Sequence, residues 1–262
     1  CVGSRLNLPA IRHGCYQGTS VRTAPLAASL ALHRSTFQSL DRLLAVSEFV
    51  RDELVDAGYR SDRIVVRPNF VDDPGRPADA DGSGFLFAGR LTPEKGVADM
   101  LEAWRRSGVW RDHQLRVAGS GPLGGLVAAQ DPGLRVEPLG LVAHDRLLGE
   151  VRNSAVTVVP SLWPEPFGRG VIEAAARGRS ALVCRSGGLA DLVEDDVTGW
   201  IAEPDVAGLT TAFRRAADPR AQAATGRAAR ARFEERYTTE VSLGILDREL
   251  HRLATSGLAA TH

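Results

Sequence analysis

Apolar and polar positions alternate regularly along the chain from about residue 85 onward. Five short apolar runs predict buried strands, at residues 85–89, 114–119, 135–141, 155–160 and 180–184. Helical spacing of apolar residues predicts helices between and after them, at 96–106, 123–130 and 144–152, around Glu173, and from about Gly188. Because strands that are apolar on both faces are typical of a parallel sheet covered by helices on both sides, the pattern predicts a doubly wound α/β domain.

The residues before this domain show a shorter strand and helix pattern. Residues 21–37 have helical spacing, 42–47 form a short apolar run, and Ser47 is a suitable N-cap for a helix that ends at Gly58. Residues 63–71 are predicted to form a strand.

Two further segments complete the pattern. Residues 72–84 are rich in aspartate, glycine and proline and lack apolar periodicity, which predicts a linker. The end of the chain, from Pro219, is helical in pattern. Its last helix is predicted to present one apolar face, made of Val241, Ile245, Leu246 and Leu250.

The composition is that of a globular protein whose charges balance. Of the 262 residues, 44% are apolar and 24% are charged, and lysine plus arginine equal aspartate plus glutamate at 32 each. Nucleic acid and anionic membranes are therefore not attracted by a global field, and any anion site must be local. No apolar run approaches the roughly 20 residues of a membrane span, so the cytoplasm is the expected location. The three cysteines, Cys1, Cys15 and Cys184, are too few for a disulfide framework.

The first residue and the lysine content are both unusual. The chain begins at Cys1 rather than at methionine, and its opening reads as a loop from within a domain, so we expect a fragment of a longer protein. The 32 basic residues include a single lysine, Lys95. One retained lysine in so arginine-rich a chain indicates a place that needs a compact ammonium, although chance can also leave a lysine anywhere.

Three stretches with binding chemistry directly follow predicted strands: 89–96 ("GRLTPEKG"), 119–122 ("GSGP") and 161–170 ("SLWPEPFGRG"). In open α/β sheets, ligands bind at the carboxyl ends of the strands, where the free N–H groups of helix N-termini suit phosphate. Arg90 and Lys95 add positive charge, and Gly168 and Gly170 let the backbone approach a ligand closely. The sequence therefore predicts a phosphate site at this edge of the sheet.

Two glutamates, Glu165 and Glu173, lie on either side of a predicted helix start with seven residues between them. Carboxylates accept hydrogen bonds from hydroxyls, so the pair would bracket a diphosphate with hydroxyls on both sides, as in a nucleotide sugar. Glu173 would bind the ribose and Glu165 the sugar. Taken alone, the same residues also fit an exposed loop acid and a helix-start acid favoured by the helix dipole.

Four motifs carry a resemblance to a known family: "FAGRLTPEKGV", "VAGSGP", "PSLWPEPFGRGVIEAAARG" and "SGGLADLVEDDVTGW", in that order. Together they resemble the C-terminal half of the retaining, GT-B-fold glycosyltransferases of family 4, of the bacterial polysaccharide type, over about residues 40–240. The resemblance implies a GT-B-like α/β fold, with one complete doubly wound, Rossmann-like donor-binding domain plus the tail of a second α/β domain.

The resemblance also implies site residues. Arg90 and Lys95, on the diphosphate, and Glu165, on the transferred sugar, would be catalytic. Donor binding would involve a further set: Gly89, Gly119, Gly121, Phe167, Gly168, Arg169, Gly170 and Glu173. The donor is a nucleoside diphosphate sugar, with no cofactor and no metal implied because arginine and lysine replace the metal. Retention in this family is attributed to attack on the same face of the sugar, assisted by the leaving phosphate.

The resemblance further implies a division of the chain. Residues 1–71 would be the C-terminal part of a truncated acceptor-binding domain, 72–84 a linker, 85–235 the donor-binding domain, and 236–262 a C-terminal helix that crosses back. About a hundred residues of the acceptor-binding domain would be absent, a domain-sized piece. Cys1 and Cys15 would belong to a cysteine-containing segment of some bacterial members. With His13 they do not complete a tetrahedral metal site.

The function implied is a hexosyltransferase that moves a sugar from a nucleoside diphosphate donor to a glycan or lipid-linked acceptor in cell-surface polysaccharide synthesis. This fragment alone would be inactive. Peripheral association with the inner face of the membrane, through the absent domain, stays open. Alternatives are a nucleotide-sugar-binding fragment without activity, and a nucleotide-sugar epimerase or glycan phosphorylase on a related fold. A dinucleotide oxidoreductase is disfavoured, since no G-x-G-x-x-G follows a first strand.

Several of these residues also have simpler explanations, and two positions depart from the family pattern. Arg90 and Lys95 could be solvated charges beside a turn, "GSGP" could be an ordinary turn, and the glycines 187–188 could relax a strand-to-helix turn. Cys184 ends an apolar run and is expected to be a buried core thiol. Arg169 stands where relatives often carry an apolar residue, and Asp196 stands where glycine is common.

Overall fold

A computed structural model of the chain describes residues 8–16, 18–75 and 82–259, with side chains up to residue 255. Its contacts form two compact units. One contains the described residues up to Pro68 together with those from Leu246 on, and the other spans Asn69–Ile245. Cys1 and residues 76–81 of the predicted linker lie outside the described residues. The domain boundaries and the crossing of the last helix remain predictions.

The smaller unit contains short helices and, in its described part, two parallel strands. Its elements before Pro68 are α1 (Leu8–Arg12), α2 (Ser20–Leu32), α3 (Arg34–Gln38), β1 (Leu43–Ala45), α4 (Glu48–Asp56) and β2 (Ile64–Val66). Strands β1 and β2 pair in parallel. Ser47 caps α4 as predicted, since its hydroxyl accepts a hydrogen bond from the N–H of Val50 at 3.1 Å.

Two predicted elements of this unit are shorter than the sequence indicated. The helix predicted over 21–37 divides at His33, which separates α2 from α3. The strand predicted over 63–71 ends at Val66. Pro68 follows two residues later, and proline has no N–H to donate to a strand ladder and restricts the residue before it.

The larger unit forms a six-stranded, all-parallel sheet within residues 82–245. Its strands are β3 (Phe85–Ala88), β4 (Leu115–Ala118), β5 (Val136–Gly140), β6 (Val156–Val159), β7 (Ser180–Cys184) and β8 (Gly199–Ala202). Their order across the sheet is β5-β4-β3-β6-β7-β8. The prediction of a doubly wound α/β fold is thereby confirmed, and β8 is a strand that the apolar pattern did not predict.

Helices connect and cover these strands. They are α5 (Val97–Ser107), α6 (Gly124–Ala128), α7 (His144–Asn153), α8 (Arg169–Ala176), α9 (Leu189–Leu192), α10 (Val206–Arg215), α11 (Pro219–Arg236) and α12 (Thr239–Ala259). Short 3-10 turns lie at Ser61–Arg63, Pro93–Lys95, Val109–Arg111 and Pro132–Leu134. Helix α10 was not predicted from the sequence, although Asp205 caps it by accepting the N–H of Gly208 at 2.7 Å.

The hydrophobic core of the larger unit lies on both faces of the sheet. On one face Phe85, Trp104 and Phe213 meet edge to face, with ring centroids 5.3 to 5.4 Å apart. On the other face Ile172 of α8 and Phe233 of α11 pack in a second buried cluster. Successive side chains of β7 enter the two clusters alternately, as the period of a strand requires. This packing fixes the strand ends that carry the candidate site.

The last helix differs from its prediction. Leu250, predicted to belong to an apolar face, is 56% exposed, whereas Ser242 and Glu249 of α12 are buried. Glu249 can be buried because two guanidinium groups satisfy its carboxylate, Arg42 at 3.0 Å and Arg252 at 2.6 Å. Apolar spacing alone therefore placed the wrong residue on the buried side of this helix.

Candidate functional site

The candidate site lies where the order of strands in the sheet reverses. Strands β3 and β6 are neighbours at the centre of the sheet, β4 and β5 lie on one side, and β7 and β8 lie on the other. Such a switch point leaves a crevice between the loops at the carboxyl ends of the two central strands. Here these loops are residues 89–96 and 161–168, which the sequence had already singled out.

Glu165 is the most constrained side chain in this crevice. Its Oε1 atom forms an ion pair with the ammonium of Lys95 and accepts a hydrogen bond of 2.6 Å from the hydroxyl of Ser161. The side chains of Lys95 and Glu165 are 22% and 12% exposed. Within the described part of the chain Oε2 accepts no hydrogen bond. The carboxylate is thus held by one oxygen, and its other oxygen is left for a ligand.

The two central loops are fastened to each other through the backbone. The N–H of Leu162 donates to the carbonyl of Glu94 at 3.0 Å. Gly96 has a left-handed φ of 70°, and an added Cβ there would lie 1.9 Å from the carbonyl oxygen of Pro160. Only glycine permits this approach, so the position of Lys95 relative to Glu165 depends on Gly96.

The two glycines after β7, Gly187 and Gly188, hold the loop that carries Glu165. The N–H of Gly188 donates to the carbonyl of Glu165 at 2.7 Å. Gly187 has a φ of 57°, and a Cβ there would lie 2.4 Å from the same carbonyl oxygen. The hydroxyl of Ser186 donates to the carbonyl of Trp163 at 2.6 Å. The N–H of Gly188 is thus engaged within the protein, which agrees with the role in a strand-to-helix turn that the sequence suggested for these glycines.

The glycines after β3 and β4 have a packing reason of their own. The N–H of Gly119 donates to the carbonyl of Gly140 at 2.8 Å. A Cβ on Gly119 would lie 1.8 Å from the carbonyl oxygen of Gly89, and one on Gly121 would lie 2.6 Å from that of Leu91. These loops therefore require glycine for close backbone approach, whatever else they bind.

An open cleft of about 180 Å³ lies beside these loops. It is lined by Gly89, Arg90, Ala118, Gly119, Ser120, Leu141, Val142 and Leu147. The side chain of Arg90 is 71% exposed, and its Nη2 atom is 3.6 Å from Oε1 of Glu94, a loose pairing. The cleft combines aliphatic walls, backbone polar groups and an exposed cation, which suits an anion joined to a partly apolar group.

The second glutamate, Glu173, lies in α8, directly after the loop that carries Glu165. Gly168 is the N-cap, and α8 begins at Arg169. The carboxylate of Glu173 is 11% exposed and pairs with Nε of Arg169 at 3.0 Å, while Arg169 is 67% exposed. Around Gly170 an added Cβ would meet nothing within 4 Å. The surface of the first turn is therefore open at Gly170, and the side chain of Arg169 contacts the carboxylate of Glu173.

Two predicted donor-binding residues are used by the core. The ring of Phe167 packs edge to face on Tyr237, with centroids 6.3 Å apart. A Cβ on Gly168 would lie 2.5 Å from a methyl carbon of Leu189 in α9. Both positions therefore also serve packing within this unit.

Sequence reasoning missed the residues that orient the site. Three such residues were not proposed from the sequence. The hydroxyl of Ser161 positions Glu165, that of Ser186 positions Trp163, and Gly96 permits the turn that carries Lys95. The available signal was the place of Ser161, directly after the strand-ending Pro160 and four residues before Glu165. A serine at such a spacing is also common in ordinary turns, so the signal was weak.

The described residues add three findings on other site types. Across residues 8–16, 18–75 and 82–259, no three histidine, cysteine or acidic side chains are grouped as metal ligands would be. Among the described helices, none combines the length and apolarity needed to cross a bilayer. Cys184 is fully buried, as predicted, and burial raises the pKa of its thiol to about 12. Cys15 is exposed.

Comparison with protein families identifies the class of protein. Residues 82–218 match the family described as glycosyl transferases group 1, and residues 4–73 match glycosyltransferase family 4. The first match covers the strands and loops of the candidate site and more than half of the chain. The chain therefore belongs to the group 1 glycosyltransferases of family 4, enzymes with the GT-B fold, as the four motifs had indicated.

Individual relatives agree with this assignment. The glycogen synthase of Mycobacterium tuberculosis is 34% identical over 207 residues, which cover 73% of this chain and 49% of that protein. The chain thus spans about half the length of this curated relative.

Solved structures share the fold. Sucrose-phosphate synthase from Thermosynechococcus elongatus superposes with a TM-score of 0.72 at 24% identity, covering 96% of this chain and 67% of that one. Anabaena HepE, solved in complex with UDP, has a TM-score of 0.68 at 20% identity, covering 92% and 68%. At these identities the structural matches establish the fold alone.

Proposed function

We propose that the larger unit binds a UDP-sugar and that the whole protein is a retaining glycosyltransferase. The acceptor would be a hydroxyl group of a glycan or a lipid-linked sugar. The observation that carries the proposal is the fixed carboxylate of Glu165, paired with Lys95 at the switch point of the sheet in a chain of this family. Relatives support the donor: HepE has been solved with UDP and with UDP-glucose.

The charges of the crevice fit a diphosphate flanked by hydroxyl groups. Lys95 uses one of its three N–H donors on Glu165 and can direct the others to phosphate. Arg90 is exposed and loosely paired, so it can turn toward the same anion at little cost. The N–H groups at the start of α8 add the positive end of a helix dipole.

The two glutamates then bind hydroxyl groups on opposite sides of the diphosphate. Glu165, with Oε2 open, accepts from the transferred sugar, and Glu173 accepts from the ribose. Nε of Arg169 contacts Oε1 of Glu173, so Oε2 is left to accept from a hydroxyl. Gly89, Gly119 and Gly121 shape the cleft beside the diphosphate.

The reaction proposed is a same-face displacement. The bond from the anomeric carbon to the diphosphate oxygen breaks, and a bond from that carbon to the acceptor oxygen forms on the same face. The acceptor proton passes to the departing phosphate. Lys95, Arg90 and the start of α8 stabilise the charge that develops on the diphosphate, and Glu165 orients the sugar. The site of action at the cytoplasmic side of the membrane remains a prediction.

Calorimetry with UDP, GDP, ADP and dTDP tests the proposal. We expect UDP to bind this chain, and at about 100 times its dissociation constant to stabilise the larger unit by roughly 2.7 kcal/mol. Lys95→Ala and Glu173→Ala should each weaken UDP binding by about tenfold or more, because each removes a charged hydrogen-bonding group.

Arg106→Ala is the matched control. Arg106 is also a cationic side chain of this unit, but it is 58% exposed on α5 and pairs only with Glu102 in the described structure. Its loss should leave UDP binding unchanged. A folded chain that binds none of the four diphosphates would contradict the proposal.

A further inference from the structure

We propose that Trp163 is a stacking platform for a pyranose ring bound beside Glu165. The inference rests on the proposed function, since it names the residue that recognises the apolar face of a sugar at that site. The argument starts from how the fold uses its tryptophans.

Three of the tryptophans serve the fold. Trp104 is fully buried, and its indole N–H donates to the carbonyl of Leu134 at 2.8 Å. Trp200 is 1% exposed within the core. Trp110 is half-buried, and its indole N–H donates to the carbonyl of Arg105 at 3.1 Å. Each of these indoles therefore contributes to packing or to a hydrogen bond.

Trp163 is different. It is 46% exposed, and within the described part of the chain its indole makes no hydrogen bond and no ring contact. Its backbone, by contrast, is held on both sides. The N–H points to the carbonyl of Glu94 at 3.4 Å, and the carbonyl accepts a hydrogen bond of 2.6 Å from Ser186. Pro164 follows and restricts the backbone further. A fixed backbone thus carries a large aromatic side chain that is nearly half exposed.

The place of Trp163 decides which ligand it suits. It lies two residues before Glu165, whose carboxylate is held by Lys95 and Ser161 with one oxygen open. A pyranose ring has faces rich in C–H bonds and an edge of hydroxyl groups. An aromatic face attracts the C–H face, and a carboxylate accepts from the hydroxyl edge. Indole and carboxylate together therefore recognise both surfaces of one sugar ring.

The ring could belong to the transferred sugar or to a sugar of the acceptor, and separate titrations distinguish these sources. The chain and its variants Trp163→Ala and Trp163→Phe are titrated with UDP and with UDP-glucose. In a second arm, methyl α-glucoside is titrated into UDP-saturated chain. Trp110→Phe is the matched control, because it also removes one partly exposed indole from the same unit.

We expect Trp163→Ala to leave the dissociation constant of UDP within twofold and to weaken binding of one of the two sugar ligands by about three- to tenfold. Trp163→Phe should retain most of the affinity, since a phenyl ring still stacks. Loss of affinity for UDP-glucose assigns the stacked ring to the donor, and loss for methyl α-glucoside assigns it to the acceptor. Sugar-dependent indole fluorescence should disappear in Trp163→Phe and persist in Trp110→Phe.

Unchanged affinity for both sugar ligands in Trp163→Ala, with UDP binding intact, would overturn the inference while leaving the donor site in place. Failure of the unchanged chain to bind UDP would instead overturn the proposed donor site, and this inference with it. Urea unfolding of each variant verifies that lost binding does not reflect lost structure.

Discussion

Two ion pairs in the larger unit join distant parts of the chain, and they use their carboxylates differently. Arg230 of α11 contacts both oxygens of Asp73, at 2.8 and 2.7 Å, and the N–H of Gly75 adds a third hydrogen bond at 2.8 Å. Lys95 and Ser161, in contrast, both contact the same oxygen of Glu165. The first carboxylate is saturated by the protein, and the second is held but left half open.

The difference separates a structural pair from a binding pair. A carboxylate whose two oxygens are both engaged by the protein has less to offer a ligand, and Asp73 ties the start of the linker segment to α11. A carboxylate that is fixed through one oxygen is already oriented for a ligand, and its second oxygen is left to accept a hydrogen bond from that ligand. The comparison predicts that Asp73 contributes mainly to stability and Glu165 mainly to binding.

The largest expected effect comes from breaking the loop that carries Lys95. Gly96→Ala forces a Cβ to within 1.9 Å of the carbonyl oxygen of Pro160 at a φ of 70°. We expect the free energy of unfolding to fall by about 3 kcal/mol or more, because backbone strain and overpacking add. Urea denaturation of the larger unit measures this loss.

Gly149→Ala is the control for that substitution. Gly149 lies within α7, has no left-handed φ, and an added Cβ would meet nothing within 4 Å. Alanine there should raise the free energy of unfolding by about 0.5 to 1 kcal/mol through helix propensity. A similar response of both variants would contradict the close approach at Gly96.

The next effect distinguishes binding from stability at Glu165. Glu165→Gln keeps an oxygen for Ser161 and Lys95 but removes the charge. We expect UDP-sugar affinity to fall by about ten- to hundredfold, since a hydrogen bond to a charged group is lost. The free energy of unfolding should fall by about 1 kcal/mol, because the amide retains the packing and the hydrogen bond from Ser161, and the ammonium of Lys95, which is 22% exposed, can be hydrated. Calorimetry and urea denaturation on the same samples compare the two quantities.

Asp73→Asn should show the opposite balance. The hydrogen bonds from Arg230 hold the pKa of Asp73 below its usual value. A carboxyl with a lowered pKa in the folded state stabilises the fold above its unfolded pKa of about 3.9, and this contribution is lost as the pH falls through the lower, folded pKa. The carboxylate is 38% exposed, so solvent screening limits the expected loss at pH 7 to about 1 kcal/mol.

The stability difference between the unchanged chain and Asp73→Asn should therefore be constant from pH 7 to about pH 5 and shrink below about pH 4. Glu203→Gln is the control, since Glu203 and Arg185 form a pair that is 62% and 55% exposed. It should cost less than about 0.5 kcal/mol at any pH. Weaker UDP binding by Asp73→Asn would undermine the division into structural and binding pairs.

Most of the fold could be predicted because its central strands are apolar on both faces. Strands β3, β4, β6 and β7 coincide with the predicted runs to within one or two residues. Strand β8 was missed because only Trp200 and Ile201 are large and apolar in it, and its pairing with β7 is a long-range contact. The burial of Glu249 was not predicted. It depends on two arginines, Arg42 from a distant part of the sequence and Arg252 from the same helix.

The sequence proposes residues for the candidate site but not their arrangement. Loops at strand ends and the two glutamates follow from spacing, but the pairing of Lys95 with Glu165 spans 70 residues and depends on the order of strands. Asp196 shows the same limit. It stands where glycine is common and has a φ of 61°, yet its pairing with Arg215 at 2.6 Å could not be inferred from the turn alone.

The smallest expected effect concerns a residue at the same edge of the sheet that has no part in binding. Cys184 ends β7, but its thiol is buried and its pKa is raised to about 12, chiefly by burial. At pH 8 the thiolate fraction is about one in ten thousand, so Cys184 should not react with Ellman's reagent until the fold is opened. A Cys1→Ser/Cys15→Ser variant makes Cys184 the single thiol for this measurement, and a Cys1→Ser/Cys184→Ser variant, which retains the exposed Cys15, is the reactive control. Rapid labelling of Cys184 in native buffer would mean that the carboxyl end of β7 opens to solvent. The Glu165 loop, which is held by the N–H of Gly188 just beyond β7, would then be less rigid than these contacts indicate, and the preorganisation of Glu165 would have to be reconsidered.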